Sequence, residues 1–279
     1  MLYIVIPVFN RLAFTRACLQ SLRQQTDQAF QVIVVDDGST DGTGARLAEE
    51  FPEVEMLRSA GGLFWTAAVN RGIRRALAHN ADPIMTLNND TLAPPDFIAT
   101  MLLWARRQPR ALLGPVELDA ATGQPVFGGE QFSFLTHKTR RLLDVLGPDD
   151  RTGLHPVTFL PGRGLLVPAQ VFRTLGLFDE HRLPHYLADY DFTSQARRHG
   201  FPVYVNYATH LLTYPDASGQ AATRRHRSFR GYAEHLFGIR GGGNLFNFSH
   251  FALKNAPAGY LPFFLLNGYA RRLLGYFRH

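Results

Sequence analysis

The sequence predicts an α/β fold, a mixed and mainly parallel sheet flanked by helices, on two observations. Apolar runs alternate with segments of helical period through the first ninety residues. Two of those runs stop abruptly at polar clusters, Asp36-Asp37 after residues 31–35 and Asn88-Asn89-Asp90 after residues 83–87. Such alternation is solved by parallel strands joined through right-handed crossover helices.

In order, residues 2–8 are continuously apolar, as a strand buried on both faces requires. This reads as a strand, not a signal peptide, because no basic leader precedes it. Leu12, Cys18, Leu19 and Leu22 fall at helical spacing over 12–24. Residues 31–35 form the second strand, and 44–51 a short helix with Asp41 or Thr43 as its cap. A weaker strand over 54–57 leads to a helix over 64–79 and a fourth strand over 83–87. Pro94-Pro95 start another helix, to about residue 107. Glycine, proline and polar residues then predict irregular or mixed structure over 110–153. Strand signals return over 156–167, a helix follows over 188–199, and 203–207 forms a further strand.

The expected division is one domain over 1–220 and a basic, aromatic, helical C-terminal extension over 221–279. The net charge is +6. Residues 221–279 carry nine Lys or Arg against Glu234 alone, a charge of +8 that leaves −2 for the rest. A basic segment suits phosphates or an anionic surface, and the part over 260–277 could lie on a membrane or dock on the protein's own body. No recognised nucleic-acid motif accompanies the charge, so nucleic acid is not an expected partner. No apolar stretch reaches the roughly 20 residues of a membrane span. Cys18 is the single cysteine, which rules out an internal disulfide and suits a reducing, cytoplasmic setting.

Two tandem acids at a strand's carboxyl end, where ligands gather in such sheets, fit a ligand site better than a turn. Asp90 beside two asparagines offers hard oxygens, suited to Mg²⁺ or Mn²⁺ completed by nucleotide phosphates. Asp189 and Asp191 stand in a first helical turn, and one of them could act as a general base; His210 lies just past the 203–207 strand. A dinucleotide oxidoreductase is disfavoured, since Pro7-Val8-Phe9-Asn10 occupies the turn where it needs glycines.

Five ordered blocks then resemble a family 2 glycosyltransferase of GT-A fold, similar to bacterial rhamnosyltransferase-like members. They are residues 6–11, 34–43, 65–72, 87–91, and Gly176-Leu177-Phe178-Asp179-Glu180 leading to Ala188-Asp189-Tyr190-Asp191. The resemblance covers about 1–215. It implies that Pro7, Val8, Phe9, Asn10, Asp36, Asp37, Gly38 and Ser39 bind the nucleoside, with Asn70 and Asn88 on the same side. Asp90 takes the place of the metal ligand, with His210 completing the metal and diphosphate site, and Asp189 that of the catalytic base. Trp65, Gly162, Arg163, Gly164 and Asp191 fall on the acceptor or sugar side. Ala188 stands where the family often has Glu, and Asn88 where it has an acid, which removes one charge from the metal site; Asp191 could partly replace the missing acid.

The implied activity is inverting, metal-assisted transfer of a sugar from a nucleotide-sugar to a hydroxyl of a saccharide or lipid-linked acceptor, in bacterial surface polysaccharide assembly. A dTDP- or UDP-sugar donor is the expectation, with the protein in the cytoplasm or peripheral at the membrane's inner face through 221–279. A non-catalytic nucleotide-sugar-binding protein is the alternative.

Overall fold

The computed structural model describes residues 1–215 and 228–276. Its elements are β1 (Leu2–Val8), α1 (Leu12–Arg23), β2 (Phe30–Asp36), α2 (Thr43–Glu50), β3 (Glu55–Arg58), α3 (Phe64–Ala78), β4 (Ile84–Thr86), β5 (Thr91–Leu92) and α4 (Phe97–Arg107). There follow β6 (Leu112–Asp119), β7 (Pro125–Phe127), β8 (Glu130–Ser133), β9 (Lys138–Arg141), β10 (Leu154–Pro156), β11 (Leu165–Val167), α5 (Ala169–Leu175), α6 (Ala188–Arg198) and β12 (Val203–Thr213). The C-terminal part holds α7 (Phe229–Phe237), α8 (Leu245–Asn255) and α9 (Leu261–Gly275). The expected boundary at 220, and Arg224, Arg225, Arg227 and Arg278, lie outside the described residues.

One mixed sheet runs β10-β12-β6-β11-β4-β1-β2-β3, with β5 on β12 and β7 on β6. The longest ladders are parallel, β1 with β2 and β6 with β12, while β11 runs antiparallel between β4 and β6. Register sets the site: Val8 pairs with Asp36, so the apolar run of β1 and the acid closing β2 end together.

Alternation along β1 divides the interior into two cores, because successive side chains leave a strand on opposite faces. Tyr3 and Val5 face a core built with Val69 and Ile73 of α3 and Phe192 of α6. Ile4, Ile6 and Val8 face the other, with Leu19 of α1, Leu47 of α2 and Phe97 of α4. Both faces being covered explains the uninterrupted apolar reading of residues 2–8.

The region expected to be irregular or mixed contains β6, an eight-residue strand inside the sheet. Pro115 argues against a central strand, because it lacks an N–H for the ladder. Here the ladder shifts register between Asn206 and His210, opposite Pro115 and Val116, so the bulge in β12 falls where that N–H is missing. The bulge also corrects the expected end of that strand: β12 continues to Thr213, and His210 lies within it.

The C-terminal helices dock on the domain through a third, aromatic core. Phe248 and Phe251 of α8 and Phe264 of α9 pack with Phe159, and Phe132 and Phe134 border them. Each buried phenylalanine contributes roughly 1.5–3 kcal/mol. Among the described residues no helix is long and apolar enough to cross a membrane.

Candidate active site

A cleft of about 710 Å³ opens at the carboxyl ends of β1, β2 and β4, and is bordered by the start of α6. Its position is the one that open α/β sheets reserve for ligands, and its size suits a small-molecule site.

The nucleoside-side residues divide into wall and support. Pro7, Val8, Phe9, Asn10, Asp37 and Asn88 line the cleft. Asp36, Gly38 and Ser39 stand behind that wall. Ser39 accepts from the amide of Asn10 at 2.7 Å and donates its own amide to Asp36 at 3.0 Å, while Asn10 Oδ1 accepts from Thr40 N. These bonds lock the loop after β1 to the loop after β2. Gly38, at φ +74°, has the backbone of Gly61 so close that a Cβ would lie 2.7 Å from its nitrogen. Only glycine fits there. Asp37 accepts from Ser59 Oγ and from the amides of Leu63 and Phe64, so its carboxylate shapes the 59–64 turn.

Asn70 does not reach the cleft. It is buried on α3, where it donates to Phe178 O and Glu180 and accepts from Phe178 N, stitching α3 to the 176–180 loop.

Asp90 lines the cleft and accepts from Arg11 Nη1 at 2.9 Å. Asn88 Oδ1 accepts from Trp65 Nε1 at 2.9 Å, so the amide is spent on orienting the indole. His210 lies in β12 and is not among the cleft residues. Among the described residues no group of three His, Cys, Asp or Glu could hold an ion by side chains alone. The carboxylate oxygens of Asp90 are of the hard donor type that Mg²⁺ takes alongside phosphate and water.

Asp189 opens α6, and both its oxygens are held by backbone: Oδ2 accepts from Gly162 N and Oδ1 from Tyr190 N, each at 2.9 Å. Burial raises its pKa above the ordinary carboxylate range; those two amides and Arg163 pull the other way. A Cβ on Gly162 would sit 2.3 Å from the Trp65 ring, so any larger residue forces the loop or the indole to move. Gly164, at φ +75°, fixes the same loop by donating to Thr86 O.

Arg163 lines the cleft and stands 2.8 Å from Glu117, a β6 carboxylate with no exposed surface. Burial works against the Arg163 charge, but Glu117, Asp90 and Asp189 outweigh it and hold the pKa above its ordinary value. Burial likewise pushes Glu117 upward, opposed by Arg163.

Asp191, placed by sequence on the sugar side, turns away from the cleft. Its carboxylate is buried against Lys254 Nζ at 2.5 Å and Asn255 Nδ2 at 2.7 Å, on α8. The acid expected to make up in part for a missing one serves instead to anchor the extension.

Four groups escaped sequence reasoning: Arg11, Glu117, His185 and Arg240. Arg240, from the segment between α7 and α8, stands 5.6 Å from the ring centroids of Phe9 and Phe64 at the cleft. Burial, with Arg240 nearby, pushes His185 down to about 4, so its imidazole is neutral at pH 7. Arg11 stands inside the 6–11 block with no role of its own assigned to it, and no local motif marks Glu117, His185 or Arg240. Backbone strain gives a further marker. Of six non-glycine residues with positive φ among those described, Asn10, Arg11, Phe64 and Leu187 line the cleft. Such strain is retained where a site needs it.

Residues 3–148 match the profile of Glycosyl transferase family 2. The chain is 31% identical, over 72% of its length and 72% of the relative's, to the N-acetylglucosaminyl-diphospho-decaprenol L-rhamnosyltransferase of Mycobacterium tuberculosis. A shorter match, 37% identical over 27% of this chain and 22% of the relative, is to the uncharacterized glycosyltransferase YibD of Escherichia coli. In structure it is similar to S. aureus TarS 1-349 in complex with UDP-GlcNAc, at a TM-score of 0.59 and 14% identity, covering 98% of this chain and 72% of that one. Profile, relative and fold agree: the chain is a glycosyltransferase of family 2, with the GT-A fold.

Proposed function

We propose that the cleft transfers a sugar from a nucleotide-sugar to a hydroxyl of a lipid-linked saccharide acceptor, with inversion, in the assembly of surface polysaccharide. The observation that carries this reading is Asp189. It is a carboxylate set at the cleft wall with each oxygen held by one amide, leaving lone pairs to accept an acceptor proton. The mycobacterial relative's name assigns that protein L-rhamnosyl transfer and a diphospho-decaprenol substrate. The class we carry over is a saccharide on a lipid diphosphate, met in the cytoplasm at the membrane's inner face. A dTDP- or UDP-sugar is the proposed donor, the latter supported by the UDP-GlcNAc bound to a protein of like fold.

In this reading the wall of Pro7 to Asn10 and Asp37 receives the nucleoside. Arg11 and Arg163 bring positive charge beside the diphosphate, and Trp65, with the Gly162 loop, shapes the sugar's place. Asp189 takes the proton from the acceptor hydroxyl as it attacks the anomeric carbon from the face opposite the leaving group, one displacement that inverts the centre. Asp90 would hold a divalent ion, which would supply further neutralisation of leaving-group charge.

Thermal shifts with nucleoside diphosphates, with and without Mn²⁺, test this, because ligands specific to the folded state raise its melting point. UDP or dTDP should stabilise the wild type, more so with Mn²⁺, and Asp90→Ala should lose the Mn²⁺-dependent part. No shift with any nucleotide, or an unchanged Mn²⁺ increment in the variant, would refute the assignment.

A further inference from the structure

Helix α9 is amphipathic the wrong way round for a helix that faces only water. Phe264 and Gly268 are buried against Phe248, so closely that a Cβ on Gly268 would lie 1.9 Å from that ring. On the opposite side the exposed positions Phe263, Leu266, Ala270 and Leu273 recur at steps of three and four residues, and none is polar. A solvated helix face normally carries charged or polar residues there. Leu266 keeps 71% of its surface exposed. Helix α8 adds Phe246 and Leu253, at 64% and 61%, seven residues apart and therefore on one stripe. Ten of the sixteen large apolar side chains exposed among the described residues lie between Phe229 and Leu274. Scattered apolar residues need no explanation, whereas a concentration of this kind marks a contact surface.

Charge selects the partner. Residues 221–279 carry nine basic residues against one acid, and among the described ones Arg230, Arg240, Lys254 and Arg271 are exposed. A second copy of this chain would bring the same positive charge face to face. A bilayer with anionic headgroups offers an apolar interior and a negative surface together, matching both properties. With fifteen residues α9 is too short to span, so it lies in the plane of the interface.

We infer that the exposed faces of α8 and α9 dock this enzyme on an anionic membrane surface. The same extension lends Arg240 and Gly242 to the cleft, which brings the catalytic opening near the lipid on which we place the acceptor. The docking itself stands apart from the proposed reaction, because it needs neither donor nor acceptor.

Co-sedimentation of the full chain with phosphatidylcholine vesicles, with and without phosphatidylglycerol, tests it. Wild type should bind the anionic vesicles, less at high salt, and only weakly the neutral ones. Leu266→Glu combined with Leu273→Glu should weaken binding at least about tenfold with an unchanged melting transition. Leu253→Glu serves as a second variant should the first fail to fold. Absence of binding to anionic vesicles, or equal binding by correctly folded variants, would overturn the inference. So would a wild-type dimer that the variants convert to monomer without any vesicle binding, which would give this face to a second copy.

Discussion

The amide of Gly162 donates to Oδ2 of Asp189 at 2.9 Å, tying the loop ahead of β11 to the first turn of α6. The loop's other side is anchored to β4, where Thr86 Oγ1 donates to Gly162 O at 2.8 Å. The proposed base is thus oriented by a strand in the middle of the sheet, through a residue with no side chain.

Gly162→Ala tests that linkage. The added methyl meets the Trp65 ring, so the loop or the indole must move, an overpacking cost of about 1–3 kcal/mol. The melting temperature should fall by a few degrees and kcat should fall further than KM rises. A variant with wild-type kcat would show that the loop does not position Asp189.

The pH profile of transfer should report the buried carboxylate. Burial raises the pKa of Asp189, and a base acts when ionised, so transfer should climb with pH through a value above the ordinary aspartate range. Arg163 favours the ionised form, so Arg163→Met should move the acidic limb to higher pH. An unmoved limb, or one moved down, would detach Arg163 from the base. The stability sign follows from the same shift. The native state holds the proton more tightly than the unfolded chain, so this contribution is complete below the unfolded pKa and is lost as pH rises through the folded one.

Lys254→Ala should loosen the extension from the domain. It leaves the buried Asp191 carboxylate with the Asn255 side-chain amide as its hydrogen-bond donor from α8. Removing one partner of a fully buried pair costs about 3–5 kcal/mol. The Lys254 side chain is 39% exposed, so water partly replaces it and about 1–2 kcal/mol is expected. Urea unfolding measures the loss, and Asp191→Asn in the same background should recover part of it. No loss in Lys254→Ala would mean that the ion pair contributes nothing to docking.

How much of this was legible in the sequence depended on whether the signal was local. Strands β1, β2 and β4 announce themselves because both faces are buried, and acids or amides follow directly where the backbone leaves the sheet. Strand β6 did not, because Gly114-Pro115 breaks its pattern and the compensating bulge lies some ninety residues away in β12. Asp90, Asp189 and the Gly162 loop were found through motifs, and the fold brings them to one cleft. Asn70 and Asp191 sit inside the same motifs, yet their side chains bind neighbouring backbone and the extension. A motif marks a segment without telling which of its side chains faces the ligand. Glu117 and Arg240 carried no local mark, since a lone acid in a strand and a lone arginine in a loop are common.

Sugar transfer by Asp189→Asn, measured beside nucleotide affinity in the same preparation, tests the central claim most directly. The amide cannot take the acceptor's proton, and its nitrogen cannot accept from one of the two backbone amides that Asp189 holds, so transfer should fall roughly 10²–10⁴-fold while nucleoside diphosphate binding stays near wild type and the melting temperature drops by only a few degrees. Wild-type transfer by a correctly folded Asp189→Asn would contradict the account.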